Sequence, residues 1–234
     1  MNTRTDGTTR PKNGRGSASS GAAETRQALV RSALRLFADK GFDGTSTREI
    51  AAGASANIGS IAYHFGGKDQ LYQACAGHIV ETMGRIAGEA LPAAVTGGNL
   101  KQPPAEKQLA KALSRVVHFL VAQEEAGEIV QFLLRELQHP TEALDTIYAG
   151  IFEPVHRRAC ALWQEATGEN AESERTKLTV FSLIGQVVYF RIGREAVRRR
   201  MGWDAIGAAE ADRIAEVIGA NFAAVLAARQ GEEK

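Results

Sequence analysis

Apolar residues recur along most of the chain at the three- and four-residue spacing that is typical of amphipathic helices. From Thr25 onward, the first such run is Leu29, Ala33, Leu36 and Phe37. Gly41 follows this run, at the place where a glycine commonly ends a helix. Because strand-like alternation and hairpin dipeptides are scarce, the pattern predicts an all-α fold.

The same spacing predicts further helices downstream. They cover about 69–90, 128–138, 174–200 and 210–229, and one more carries Leu109, Leu113, Val116, Val117 and Leu120 on one face. The stretch 92–104 is rich in Gly and Pro and is predicted to be a loop. Pro154 should break or kink the segment 141–167.

The chain is predicted to divide into three parts. Residues 1–22 consist of polar and small residues with almost nothing apolar, so they cannot offset the entropy of ordering and should form a disordered basic tail. Residues 23–70 form a three-helix unit, which we call the head. Residues 71–230 form a larger helical unit, which we call the body.

Two short helices joined by a tight turn are predicted within the head. Ser46 followed by Glu49 is a capping-box pattern that starts the first of them. Asn57 is a suitable N-cap for the second, which places Ile61 and Phe65 on one buried face. Together with the amphipathic helix before them, the two match a helix-turn-helix, whose second helix enters the major groove of DNA. An ordinary pair of small helices in a core is the alternative interpretation.

The charge of the chain is unevenly distributed, although its total is only +1. Residues 1–68 hold ten Lys and Arg against five Asp and Glu, a charge of +5, and the remainder holds 18 against 22, a charge of −4. A basic N-terminal part, made up of the tail and the head, on an acidic remainder indicates an anionic partner at one end of the molecule. Chance and a basic tail would produce the same asymmetry.

The segment ALRLFADKGFDGTSTREIAAGASANIGSIAYHFGGKDQLY resembles the N-terminal DNA-binding domain of the TetR family of bacterial transcriptional regulators. It carries the family's features in order: LFADKGF at the end of a helix, a Thr-Ser start to the next helix, REIA, YHF and GKDQL. Beyond the head, YHFGGKDQLYQACA, RELQHPTEALDTIY and FRIGREAVRRRMGW are similar to the CecR (YbiH-like) subgroup. The resemblance implies a homodimer that binds double-stranded operator DNA and responds to a small-molecule effector.

The resemblance also implies a set of DNA-contacting residues around the second short helix. They are Thr47, Arg48, Asn57, Gly59, Ser60, Tyr63, His64 and Lys68. Arg48 is expected to make a bidentate contact with guanine, which would contribute about 1–3 kcal/mol of discrimination. Lys68 is expected to bind a phosphate at the start of the next helix. Pairing of Arg48 with a carboxylate, packing of Tyr63 and a structural role for His64 are the alternatives.

Ala62 departs from the family pattern, since most members have an aromatic residue, usually Tyr, at this position. Ile58, Gly59 and Ala62 offer no hydrogen-bonding side chain, so readout of bases through hydrogen bonds must be sparse. We therefore expect Arg48, Tyr63 and contacts with thymine methyl groups to dominate recognition.

Two apolar stripes in the last two predicted helices favour a homodimer. The first is Val180, Phe181, Ile184, Val188 and Ile192, and the second is Ile214, Ile218, Asn221, Phe222 and Val225. Gly219 and the alanines near it keep the second helix slim, so two helices from each subunit would fit a four-helix interface. Packing inside one chain is the alternative.

An effector pocket is predicted among aromatic and polar residues of the body. The candidates are Phe119, Phe132, Phe152, Trp163 and Tyr189, with the polar Arg135, His139, His156 and Gln186. Pockets are mostly apolar with a few fixed polar groups, but an ordinary core has a similar composition. A separate basic run, Arg194, Arg198, Arg199 and Arg200, is expected to complement a helix dipole and to stay solvated.

Composition and motifs exclude several classes of protein. The chain has no run of 18 apolar residues and no apolar signal core, so a cytoplasmic protein is expected. Two cysteines, Cys75 and Cys160, cannot build a disulfide framework or a four-ligand zinc site, and the histidines lack metal spacing. The sequence also lacks a set of catalytic residues and a phosphate-binding loop, so we predict that the protein is not an enzyme and binds no metal or cofactor. We predict instead a repressor that a small-molecule effector releases from a palindromic operator. A small helical carrier or enzyme with an incidental helix-turn-helix-like segment is the alternative. An activator would use the same DNA-binding head as a repressor, so activation also stays open.

Overall fold

The structure is a computed structural model that describes residues 16–91 and 103–231. The α-helices are α1 (Gly16–Lys40), α2 (Thr47–Gly53), α3 (Gly59–Phe65), α4 (Lys68–Ala90), α5 (Ala105–Ala122), α6 (Glu125–Gln138), α7 (Glu142–Ile147), α8 (Glu153–Thr167), α9 (Glu174–Ile192), α10 (Arg194–Met201) and α11 (Ala208–Gly231). A π-helical turn, Tyr148–Phe152, joins α7 to α8. No strand occurs within the described ranges, and the predicted all-α class is confirmed.

Two of the predicted segments differ markedly from the helices that the structure shows. α1 begins at Gly16, so residues 16–22 of the predicted disordered tail are helical. The predicted helix 174–200 is two helices, because the chain turns at Gly193, where a Cβ would lie only 3.1 Å from Tyr189. Residues 1–15 of the predicted tail and most of the predicted loop 92–104 lie outside the described residues.

Pro154 lies in the first turn of α8, directly after the π-helical turn. The helical backbone continues without a break from the π-helical turn into α8, and this turn is where the hydrogen-bond pattern adapts to a proline that has no N–H. The π-helical turn packs closely on α4, since a Cβ at Gly150 would lie 2.7 Å from a Val80 methyl group. The segment therefore stays helical from Glu142 to Thr167, and the predicted break or kink takes the form of the π-helical turn just before Pro154.

Three apolar clusters stabilise the part of the chain that the structure describes. The first extends from the head into the body and includes Ile50 of α2, Ile61 of α3 and Phe132 of α6. The second lies in the body around Val121 of α5, and the third lies around Trp163 of α8. Because α1, α4, α6 and α7 all contribute to the first cluster, the head shares its core with the body.

Both cysteines are free, buried core residues, as predicted. Burial raises the pKa of the Cys75 thiol and of the Cys160 thiol, so neither is an activated nucleophile. No three potential metal ligands come together in the described part of the chain. Across the same residues, no helix combines the length and the apolarity that crossing a membrane requires.

The two apolar stripes predicted for a dimer interface are largely internal. Val180 and Phe222 belong to the third cluster, and Ile214 and Ile218 belong to the second. Periodicity identified the apolar face correctly, but the chain covers most of it with its own helices α5 and α8. Phe181 and Ile192 are exceptions, because 58% and 53% of their surfaces are exposed.

Arg194 stabilises the C-terminal end of α5, where helix carbonyls lack intrahelical partners. Its guanidinium donates to the Val121 carbonyl at 2.6 Å and to the Ile206 carbonyl at 2.5 Å. Arg191 donates to two further carbonyls of the same region at 3.4 Å each. The expectation that the whole basic run is solvated is therefore wrong for Arg194, whereas Arg199 and Arg200 are exposed.

His118 of α5 bridges to Asp212 of α11. Its Nδ1 lies 2.7 Å from the Ser114 carbonyl oxygen, and its Nε2 lies 2.8 Å from an Asp212 carboxylate oxygen. Because both ring nitrogens face acceptors, both are satisfied only when the imidazole is protonated. The hydrogen bond to Asp212, followed by that to Ser114, raises the pKa of His118.

We expect His118→Gln to change the pH dependence of stability. A group whose pKa is raised by folding stabilises the protein fully below its unfolded pKa, and this contribution is lost as the pH rises through the folded pKa. The His118 side chain is 40% exposed, so screening limits the contribution to less than about 1 kcal/mol, or roughly 1–3 °C in Tm. Thermal unfolding between about pH 5.5 and pH 8.5 should show this extra loss in the wild type and not in the variant.

The matched control is His139→Gln, at an exposed position of the body. The Tm of this variant should change with pH as the Tm of the wild type does. The same change in Tm with pH in all three proteins would contradict the assignment to His118.

Candidate nucleic-acid interface

The start of α2 is stabilised by the predicted capping box. The Ser46 hydroxyl accepts from the Glu49 N–H at 3.2 Å, and the Glu49 carboxylate accepts from the Ser46 N–H at 3.0 Å. Lys40, at the end of α1, pairs with the other Glu49 oxygen at 2.6 Å. These bonds, led by the one from Lys40, lower the pKa of Glu49 to about 2. They position Thr47 and Arg48, the first two residues of α2, against the end of α1.

The turn between α2 and α3 is closed by local polar contacts. Ser55 has a φ of +52°, in the left-handed region that a tight turn requires. The Asn57 side chain accepts from the Gly59 N–H at 2.9 Å. Asn57 thus satisfies a first-turn donor as predicted, although Ile58 occupies the N-cap position and α3 begins at Gly59. Gly66, with a φ of +86°, ends α3.

α3 has one buried side and one exposed side. Ile61 is buried in the first cluster, and Phe65 is half-buried against it. On the opposite side, 81% of Tyr63 and 50% of Ile58 are exposed. Of the other residues on this helix, Gly59 and Ala62 are exposed, and Ser60 and His64 are half-buried. Tyr63 is therefore not a packed aromatic, and its ring meets that of His64 edge-on at 4.9 Å.

Cationic side chains are positioned by the elements next to α3. The Lys68 Nζ, at the start of α4, lies 4.2 Å from the centre of the Phe42 ring. Arg48 is exposed at the start of α2, and no described carboxylate forms an ion pair with it. A cation on an aromatic face keeps its full charge, because the ring attracts it without neutralising it. Both residues therefore remain available to an anionic partner.

Arg26 of α1 is a third cation of this surface, and it was not among the residues predicted. Its guanidinium carbon lies 5.1 Å from the centre of the Phe65 ring, at the end of α3. The two residues are far apart in the sequence, so neither motif nor spacing indicates the contact. The fold brings Arg26 to the same helix that carries Tyr63.

Four of the residues predicted to line an effector pocket lie in the apolar clusters or pack against their edges. Phe132 and Trp163 are fully buried, in the first and the third cluster respectively. Phe152 packs against the first cluster, and Phe119 packs against both the first and the second. The four rings are therefore divided among the three clusters.

The polar candidates and Tyr189 are also dispersed. His156 stacks on Phe181 with ring centres 3.9 Å apart, and Gln186 accepts from the Asn221 side chain at 3.1 Å. Tyr189 is 59% exposed on α9. Arg135 and His139 lie at the end of α6 beside a cleft. The nine candidates therefore do not surround one common cavity.

Two open clefts lie where the head meets the body. One of about 780 Å³ is bounded by the segment after α1, the first turns of α4 and the end of α6. The other, of about 520 Å³, is bounded by α1, the turn after α2 and the start of α6. Of the nine predicted effector contacts, Arg135 and His139 line the larger cleft, and the others line neither.

Both parts of the chain match known families. Residues 105–229 match the family described as the HTH-type transcriptional dual regulator CecR, C-terminal domain. Residues 29–75 match the family of bacterial regulatory proteins, tetR family. The second match contains α2, α3 and the start of α4, which carry the exposed surface described above.

Individual proteins support the same relationship. The chain is 31% identical to the HTH-type transcriptional dual regulator CecR of Shigella flexneri over 200 residues, which cover 83% of this chain and 88% of that protein. It is 38% identical to the HTH-type transcriptional repressor Rv3405c of Mycobacterium tuberculosis over 86 residues, 37% of this chain and 46% of that one. In fold, it is similar to AibR in complex with isovaleryl coenzyme A and operator DNA, with a TM-score of 0.62, 18% identity, and 83% and 96% of the two chains covered.

The family matches span the head and most of the body, and the relatives are transcriptional regulators rather than enzymes. The alternative of a carrier or enzyme with an incidental helix-turn-helix is not favoured by them. The chain belongs to the TetR family of bacterial transcriptional regulators, and its body is a CecR-type C-terminal domain.

Proposed function

We propose that the protein is a cytoplasmic repressor that binds a palindromic operator as a homodimer and is released by a small-molecule effector. The observation that carries the proposal is the outer side of α3, where Tyr63 projects beside the small residues Gly59 and Ala62. Small side chains let a helix backbone approach the floor of the major groove, while Tyr63 reaches a base or the DNA backbone.

The proposed contacts divide into base readers and phosphate binders. Arg48 supplies a bidentate donor for guanine, and Tyr63 with the apolar part of α3 suits thymine methyl groups. Lys68 binds a phosphate, supported by the free N–H groups at the start of α4. Arg26 binds a second phosphate at the other end of α3. The half-buried residues Thr47, Ser60 and His64, with the exposed Asn57 and Gly59, complete the proposed contact set.

We expect Arg48→Ala and Tyr63→Ala each to weaken operator binding by about 10- to 100-fold, because each removes a base contact. Selection of bound duplexes from a random pool supplies the operator, and anisotropy titrations measure the affinity. Arg48→Ala should also reduce the discrimination between bases at one base pair of the operator. Lys68→Ala and Arg26→Ala should instead weaken binding to all DNA sequences about equally. Each should also reduce the slope of log affinity against log salt concentration by about one.

Tyr148→Ala and Arg200→Ala are the matched controls, since they remove exposed residues of the same types from the body. Both should bind the operator as the wild type does. Unchanged affinity in Arg48→Ala and Tyr63→Ala would refute the roles assigned to these two residues.

The outer side of α9 supports a homodimer. Its large apolar residues Leu178, Phe181, Tyr189 and Ile192 are each more than half exposed, as is Val217 of α11. Gly185 lies in the same row and has nothing within 4 Å of the position of a Cβ, so a partner helix can approach closely. An exposed apolar row of this length on a helix marks an interaction surface. TetR-family regulators act as dimers, and the symmetric partner of this row is the same row of a second chain.

We expect Phe181→Glu to shift the protein from dimer to monomer, because it places a carboxylate in the centre of the apolar row. Light scattering after size exclusion measures the mass. Operator affinity should fall by about 100-fold, since the two heads no longer bind as one unit. Tyr148→Glu, at an exposed site away from α9, should remain dimeric. A dimeric Phe181→Glu protein with full affinity would rule out this interface.

Effector control is proposed from the likeness to AibR, whose solved structure contains isovaleryl coenzyme A and operator DNA. Phe119 and Phe152 are the predicted contacts best placed to line a site in the body, since both are half-buried at the edges of clusters. To act as a switch, the effector must bind the free protein more tightly than the DNA-bound form. A thermal-shift screen of small molecules, repeated with the operator present, identifies compounds with this preference.

A further inference from the structure

Glu136 of α6 is a buried carboxylate at the joint between head and body. It is 1% exposed, and its Oε1 accepts from the Tyr72 hydroxyl at 2.6 Å. Its Oε2 accepts from the Thr141 hydroxyl at 2.8 Å, the Thr141 N–H at 3.2 Å and the Leu144 N–H at 3.1 Å. Tyr72 lies on α4 and Thr141 is the N-cap of α7, so one side chain links α4, α6 and α7.

The hydrogen bonds of Glu136 account for its burial. A carboxylate away from water is tolerated only when its oxygens are satisfied, and here each oxygen has a donor. Burial and the neighbouring carboxylate raise the pKa of Tyr72, so its hydroxyl keeps its proton and remains a donor. A hydroxyl bound to a carboxylate is among the stronger and more directional hydrogen bonds in proteins.

Arg135, the preceding residue, contacts α1 instead of α4. Its Nε donates to the Ala38 carbonyl at 2.8 Å, and its terminal Nη2 donates to the Asp39 carbonyl. These carbonyls lie at the C-terminal end of α1, where the helix dipole concentrates negative partial charge. Gly41 has a φ of +77°, and a Cβ there would lie 3.3 Å from the guanidinium, so the loop passes close to Arg135.

Two consecutive residues thus reach the two helices that lead into and out of the helix-turn-helix. α1 continues through the loop after Lys40 into α2, and α4 begins at Lys68, one turn before Tyr72. The cleft of about 780 Å³ lies at this junction, and Arg135 and Glu136 are on its wall. At this edge, therefore, α6 contacts the head through directional polar bonds next to open space.

We propose that Arg135 and Glu136 are positioning residues that set the orientation of the head on the body. They act through Tyr72 and the end of α1, and neither lies on the exposed side of α3. In a homodimer, the orientation of each head sets the distance between the two α3 helices and hence the half-site spacing that fits the protein. The inference rests on the proposed function, because spacing has meaning only for a dimer on a two-part operator.

The test uses Tyr72→Phe and Arg135→Lys in the full-length chain. Tyr72→Phe removes one donor to Glu136 and keeps the ring, which packs against Phe37 and Phe132. Arg135→Lys keeps the positive charge but loses the planar fork that serves two carbonyls at once. Tyr148→Phe and Arg200→Lys make the same chemical changes at exposed positions and serve as matched controls.

Each protein is titrated with the selected operator and with two derivatives whose half-sites are one base pair closer together or farther apart. The wild type and both controls should prefer the selected spacing. We expect Tyr72→Phe and Arg135→Lys to reduce this preference by at least about fivefold while the protein remains a dimer. Should Arg135→Lys fail to fold, Tyr72→Phe decides the question.

A purely structural role for these residues would lower the thermal stability and leave the spacing preference intact, and that result would overturn the inference. Failure of the wild type to select any duplex would overturn the proposed function itself. The two failures are therefore distinguishable in one set of titrations.

Discussion

The short helices of the head depend on burial of one side against longer neighbours. α2 and α3 have seven residues each, too few for a helix to be stable alone in water. Ile50 and Ile61 are almost completely buried, and caps at Ser46 and Asn57 satisfy backbone donors at their starts. Because packing and caps already stabilise α3, its other side is free to carry residues chosen for contact, such as the exposed Tyr63.

The apolar cluster that buries Ile50 and Ile61 also connects the head with the body. The cluster that contains Ile50 and Ile61 also contains Phe132 of α6 and Ile147 of α7, so no solvent layer separates the two parts there. A movement of α6 or α7 relative to the other helices must therefore disturb the packing of the head. Closely packed cores respond to such a movement by shifting as a unit, because they have few voids to absorb it. This continuity gives an effector in the body a physical route to the DNA-binding surface.

Local patterns predicted local structure well. The capping box at Ser46 and Glu49 and the inward side of α3 follow from spacings of three and four residues, and the structure confirms both. Contacts between distant parts of the chain have no such local pattern in the sequence. The stacking of Arg26 on Phe65 and the bond from Tyr72 to Glu136 depend on which helices meet, and periodicity does not encode that. For the same reason, the aromatic residues predicted for one pocket, among them Phe132 and Trp163, fall in different clusters.

The contacts distinguish basic residues of the head that are paired from those that remain available to DNA. Of the basic residues in the head, Lys40 is engaged by Glu49, so it adds little to the field that a DNA phosphate would feel. Arg26 and Lys68 rest on aromatic rings and Arg48 is exposed, so these three cations keep their charge beside α3. The remainder of the chain after Lys68 carries −4 and would repel a phosphate backbone. The fold therefore leaves the charges of Arg26, Arg48 and Lys68 available beside α3, which is where a DNA phosphate would meet them.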